Sequence, residues 1–261
     1  MELFGHWYST LLVLMVGLPR LAAFFSVMPV LAPGIIPPLT RNAVCFSLVL
    51  FLLPPIRHTA PQNVQVLPVA LLVVKESGLG FLLGWFGGLV FWAITEAGDI
   101  VARSIGGSEA TIMDTAGNPH TTVLGSMLYQ TLVTVFFVKG GMLLLAGALF
   151  ETYRIWPVFS YTPVFSESFL PLLVRSFTHY FGAMLLLAAP ALAAMFLVTI
   201  GLALINRFAP TLNVFILSMP LKSMVAIFVL ALSLSVILVS FENGYSRIPS
   251  IVRTLMPVLR N

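Results

Sequence analysis

The sequence predicts an all-α membrane protein built from long, proline-kinked helices and helical hairpins. Three observations carry this. Of 261 residues, 59% are hydrophobic and only 8% charged, against roughly 45–50% and about 25% in a soluble domain. Thirteen basic and nine acidic side chains are too few to cover the outside of a water-soluble chain of 28.4 kDa. Several stretches reach the about 20 apolar residues that a helix needs to cross roughly 30 Å of hydrocarbon. No stretch shows the residue-by-residue alternation of a membrane barrel strand, and backbone polar groups in lipid must otherwise be bonded within a helix.

Taken in order, residues 7–19 form an apolar run of 13 that stops at Arg20. It lacks the basic start and small-residue cleavage site of a signal peptide, so it is expected to be kept as structure. Residues 21–40 are uncharged but carry Pro29, Pro33, Pro37 and Pro38, too many for one regular helix, and 32–38 read as a turn. Residues 42–56 are apolar for 15 positions and end at Arg57. Both N-terminal runs are short for a span unless Arg20, Lys75 and similar residues lie inside longer helices. Residues 77–95, 121–150, 176–206 and 223–241 meet the length requirement, the third split by Pro190. Residues 103–122 are the most polar stretch, about 20 residues long, and connections of that length are mostly functional or disordered. A second loop over 153–168 holds Trp156, Phe159, Tyr161 and Phe165, expected as anchors at the membrane interface. Arg247, Arg253 and Arg260 follow the last acid, Glu242, which places the C-terminus in the cytoplasm. No hydrophilic stretch is long enough for a soluble domain, so residues 1–261 read as a single domain.

Composition also excludes chemistry. The net charge of +4 is spread singly, so no nucleic acid is expected as a partner. One cysteine, Cys45, cannot form a disulfide within the chain or a cysteine zinc site, and reads as a small apolar residue. His6, His58, His120 and His179 have no ligand partners at metal spacing, and no nucleophile elbow, phosphate-binding loop or HExxH occurs. No enzyme, cofactor or metal is expected.

The informative residues are charges, glycines and prolines set in apolar sequence. Lys75 and Glu76 lie between two apolar runs. Glu96, Asp99 and Arg103 share a helix face. They read either as an ion or proton relay or as a paired helix end, and the second weighs more because Arg103 opens the polar stretch. Gly78, Gly80, Gly84, Gly87 and Gly88 punctuate one segment, with Gly84 and Gly88 at the spacing that lets two helix backbones approach. Residues 206–222 (NRFAPTLNVFILSMPLK) place Pro210 and Pro220 ten residues apart, which fits a hairpin or re-entrant turn better than a span.

That last block resembles the signature of the FliR/SctT family (YscT, SpaR and HrcT in virulence systems) in Arg207-Phe208-Ala209-Pro210-Thr211-Leu212-Asn213 and Met219-Pro220-Leu221-Lys222. Pro19-Arg20, the proline-rich turn before Arg41-Asn42, Lys75-Glu76 with Gly78 and Gly80, and the helix end at 96–103 match in family order. The resemblance covers nearly the whole chain and is nearer to the virulence branch. It implies a core subunit of the type III secretion export apparatus in the bacterial inner membrane, part of a helical export gate that projects toward the periplasm. The implied partners are SctR-like and SctS-like gate subunits, an SctU-like switch protein, the membrane, and unfolded secreted proteins passing through the pore. It also implies that the loop holding Gly106, Gly107, Met113, Gly117 and Asn118 plugs the pore, and that Lys75, Glu76, Glu96, Asp99 and Arg103 serve charged packing or gating. The competing reading is a stand-alone multi-pass transporter or channel, whose broken helices and embedded charges look alike; no inverted repeat is visible.

Overall fold

The computed structural model describes residues 2–31, 36–57, 66–106, 122–160, 169–210 and 213–246. Among them lie seven α-helices and no strand: α1 (Glu2–Val27), α2 (Pro38–Arg57), α3 (Val66–Ser104), α4 (Val123–Val138), α5 (Gly141–Ile155), α6 (Phe169–Phe208) and α7 (Val214–Tyr245), with a 3-10 turn at Pro29–Leu31 after α1.

Local chemistry explains the boundaries. α1 stops at the Pro29 turn. α2 begins on Pro38, where a missing N–H costs nothing, and its first bond runs from the Arg41 N–H to the Pro37 carbonyl at 3.1 Å. The apolar stretch over 121–150 is not one helix. It breaks at Gly140, which adopts a left-handed φ of 72° that suits glycine. α6 and α7 are joined over 209–213. Asn213 caps α7, accepting from the Ile216 N–H at 3.4 Å, as short polar side chains do at a helix start.

Two expectations change here. The run ending at Arg20 belongs to a long helix, because α1 continues through Arg20, and α3 likewise runs through Lys75 and Glu76, whereas the 42–56 run lies in the shorter helix α2. The charges of Arg20, Lys75 and Glu76 are paired and hydrogen-bonded inside the chain, so counting uncharged residues underestimates the helices. The 206–222 block is a turn only in its first half. Pro210 lies in the connection, while Pro220 and Lys222 lie inside α7, where the proline removes one helix bond without ending the helix. By length and composition four helices, α1, α3, α6 and α7, can cross a membrane, or five if the broken α4–α5 pair counts as one.

Two compact units divide the chain. The first holds α1, α2, α3 up to Leu89 and α5; the second holds α3 from Val90, α4 up to Phe136, α6 from Phe177, and α7. Neither is a continuous stretch, and α3 and α6 pass from one to the other.

In the first unit α1 packs on α2 and on α3. A Cβ added to Gly84 would come 2.6 Å from the Phe24 carbonyl oxygen, and one on Gly80 would collide with the Arg20 carbonyl. Gly80 and Gly84 therefore lie against the backbone of α1 of the same chain. Phe24, Phe25, Leu21 and Leu72 are buried there. In the second unit Phe91 packs edge-on against Phe136 and Phe241, and all three rings are buried.

Candidate functional site

Two polar constructions stand out in an otherwise apolar chain. The first gathers on Arg20, which is fully buried in α1. Its Nε donates to Glu76 Oε2 at 2.5 Å, and its Nη2 to Glu76 Oε1 at 2.9 Å and to the Trp156 carbonyl at 3.3 Å. Its Nη1 donates to Thr152 Oγ1 at 3.1 Å, and that hydroxyl in turn donates a hydrogen bond to the Leu149 carbonyl. The Tyr153 ring lies 4.2 Å below the guanidinium carbon, and its hydroxyl donates to the Gly17 carbonyl at 2.6 Å. Glu76 is likewise fully buried. Lys75 Nζ sits 2.8 Å from Glu76 Oε1 and donates to the carbonyls of Val158 and Ser160, each at 2.8 Å.

Two cations and one carboxylate leave the cluster one positive charge in excess. Five acceptors take it up without a second acid: the Thr152 hydroxyl, the carbonyls of Trp156, Val158 and Ser160, and the face of Tyr153. Among the described residues no buried side-chain nitrogen or oxygen lacks a partner. Desolvating charges is costly and is offset only when geometry and hydrogen bonding are good. With its donors already engaged, the cluster ties α1, α3 and the chain after α5 together.

The second construction closes the end of α3. Asp99, 3% exposed, accepts at Oδ1 from the Thr122 N–H at 2.9 Å and the Thr122 hydroxyl at 2.6 Å. Thr122 caps α4, its Oγ accepting from the Gly125 N–H at 3.2 Å. Arg103 reaches Asp99 Oδ2 only to 3.7 Å and is mostly exposed. Glu96 is half-buried on the same helix. Asp99 is thus paired at this helix end.

Of the other predicted residues, Gly106 follows α3 with a left-handed φ of 97°. Gly107, Met113, Gly117 and Asn118 lie outside the described residues. Arg207 is exposed in the last turn of α6, where a cation suits the negative helix end; Pro210 and Asn213 form the connection, and Pro220 and Lys222 ride on α7. Trp156 is not an interface anchor: it is buried beside Leu79 and offers its carbonyl to Arg20. Tyr161 and Phe165 of the same loop, the tail arginines, and His58 and His120 are outside the described residues.

Sequence reasoning missed that Arg20 is the partner of Glu76, and missed Thr122, Thr152 and Tyr153 altogether. A signal for the first existed. An arginine inside an apolar helix needs an acid, and Glu76 is similarly embedded. The hydroxyl partners leave no such mark.

Comparison with known proteins now has a structure to attach to. The chain is 37% identical over 243 residues to the Yop proteins translocation protein T of Yersinia pestis, covering 93% of each. It is 27% identical to the surface presentation of antigens protein SpaR of Salmonella typhimurium, over 85% of this chain and 82% of that one. To the flagellar biosynthetic protein FliR of Escherichia coli it is 26% identical over 97% and 96%. The sequence profile of the bacterial export proteins, family 1, matches residues 11–248, a range that takes in the Arg20 cluster, the Asp99 cap and the Arg207–Lys222 block alike. This chain belongs to the bacterial export proteins, family 1.

Proposed function

We propose that this chain is a core inner-membrane subunit of a type III protein secretion export gate, where it helps form and close the pore for unfolded secreted proteins. The observation that carries the reading is the likeness to the Yop translocation protein along 93% of both chains. The exposed faces of α6 and α7 support an assembled state. Leu186, Leu197, Phe228 and Leu232 among others stand outside the chain, on helices whose apolar windows are only 22% buried. SctR-like and SctS-like subunits cover part of that surface, an SctU-like switch protein joins them, and lipid covers the remainder. Residues 1–261 act as one domain, part of it projecting toward the periplasm, with the arginine-bearing C-terminus in the cytoplasm.

Gly106 and the residues through Asn118 plug the resting pore. Energy for export comes from outside this chain, which acts as a gate and not as a catalyst. A chromosomal deletion of the gene should abolish type III secretion, with restoration by the intact chain. Removing residues 106–117 should keep the complex but raise ion leakage across the membrane. Secretion unaffected by the deletion of the gene would overturn the export reading; unchanged leakage without 106–117 would overturn the plug. A stand-alone transporter would instead purify without partners.

A further inference from the structure

The end of α3 and the start of α4 approach one another more closely than ordinary side chains permit. A Cβ on Gly98 would lie 2.8 Å from Leu128 Cδ1 and 3.1 Å from the Gly125 Cα, and one on Gly125 would collide with the Asp99 carboxylate. Gly98 thus lets the α4 backbone come close, and Gly125 leaves the space that the Asp99 carboxylate fills. From there its Oδ1 reaches both the N–H and the hydroxyl of Thr122, the residue that caps α4. The Thr122 carbonyl receives the Ser126 N–H at 2.9 Å, so the first turn of α4 is already formed at this point. A carboxylate against a helix start is favoured by the exposed N–H groups and their partial positive charge. Such a charge-assisted bond is shorter and stronger than a neutral one.

A local cap would have served α4 alone, and Thr122 already provides one. Asp99 adds a bond from a different helix, 23 residues away. It therefore joins the end of α3 directly to the start of α4, both of which are described.

We infer that Asp99 is a positioning residue that fastens the first turn of α4 to α3, and that the tightness of the resting gate depends on this fastening. The inference rests on the gate reading above, because leakage has meaning only for a pore.

The test uses the assembled complex in lipid. Asp99→Ala and Thr122→Val break the fastening, Thr122→Ser keeps it, and Asp99→Asn keeps an acceptor without the charge. Hydrogen exchange at the amides of Thr122 and Gly125 should quicken by about tenfold or more in Asp99→Ala, the scale of losing bonds to a charged acceptor. Ion leakage should rise several-fold in the same variant and in Thr122→Val, with Asp99→Asn between and Thr122→Ser as in the parent chain. Partner recovery unchanged in all four separates this from misassembly; if Asp99→Ala fails to assemble, Asp99→Asn and Thr122→Val carry the comparison. Unchanged exchange overturns the inference. So does unchanged leakage where removal of 106–117 does leak. If removing 106–117 also leaves leakage unchanged, the plug reading has failed instead, and exchange alone then decides whether Asp99 is the fastener.

Discussion

α1 with the first half of α3, and α6 with α7, are similarly apolar helices treated in opposite ways. The apolar windows of α1 and α3 are 44% and 50% buried by the chain itself, those of α6 and α7 only 22% each. The first pair is joined by glycine contacts and a fully buried ion cluster. The second carries glycines that face open space: nothing stands within 4 Å of a Cβ on Gly182 or Gly201. Hydropathy alone does not distinguish them, since every one of these helices qualifies as a membrane span. What separates them is how each manages groups that lipid will not accept. Arg20 and Glu76 force α1 and α3 to stay together, whereas α6 and α7 hold no buried ion pair among the described residues and leave their sides for something else to cover.

The sharpest way to break this contrast is the ion cluster. Glu76→Ala leaves Arg20 and Lys75 buried without a counter-charge, which costs about 3–5 kcal/mol, while Arg20→Ala leaves Glu76 with Lys75 as its remaining partner but strips it of two bonds from the guanidinium. Either variant should collapse the amount of chain recovered from membranes, measured by immunoblot. The joint replacement Arg20→Met, Lys75→Met and Glu76→Leu, which removes all three charges, should restore much of it, since an apolar set of similar volume is often tolerated. Single variants as abundant as the parent would show that the cluster does not hold the first region together.

Glycine replacement gives the next largest effect. Gly84→Val drives a side chain into the Phe24 backbone, which cannot retreat as a side-chain tip can, and overpacking of this kind costs about 1–3 kcal/mol. Gly201→Ala has open space and should be neutral or stabilise the helix by up to about 1 kcal/mol. Thermal denaturation of the purified chain in detergent should separate the two, and equal melting temperatures would erase the distinction.

Trimming the uncovered faces should act differently. Leu186→Ala with Leu197→Ala removes exposed side chains and should change the chain's own stability by within about 0.5 kcal/mol per site. The same variant should reduce recovery of partner subunits in a pull-down. The smallest effect belongs to Arg103→Glu, whose ion pair is long and solvated and so worth about 0–1 kcal/mol. Its melting temperature should barely move. Partner recovery should still fall if Arg103 also lies against a neighbouring subunit.

Much of the architecture was legible because it follows from local rules. The apolar runs, the start of α2 at Pro38, and the break near Pro210 are written in neighbouring residues, while most of the turn expected over 32–38 lies outside the described residues. Other features were hidden by distance. Arg20 looked like the end of a run because its counter-charge is 56 positions away. The glycine spacing around Gly84 marked a close helix approach, but not that α1 of the same chain is what meets Gly80 and Gly84. Trp156 was misread because an aromatic after an apolar helix has the same appearance at a membrane interface and in a buried corner. Pro220 did not stop α7, as a proline costs one bond of many in a helix of 32 residues. Asp99 was visible as a charge on the right helix face, but its use as a cap depends on Thr122 folding back to it.

The contrast between a self-covered region and an uncovered one is tested most directly by photo-crosslinking in the assembled secretion apparatus. A photoreactive residue is placed in turn at Leu186, Leu197, Phe228 and Leu232, and at Phe86 as the buried comparison. Adducts to SctR-like or SctS-like subunits should form from positions in α6 and α7, while Phe86 should give none between chains. Lipid adducts alone from all four α6 and α7 positions, or partner adducts from Phe86, would contradict the account.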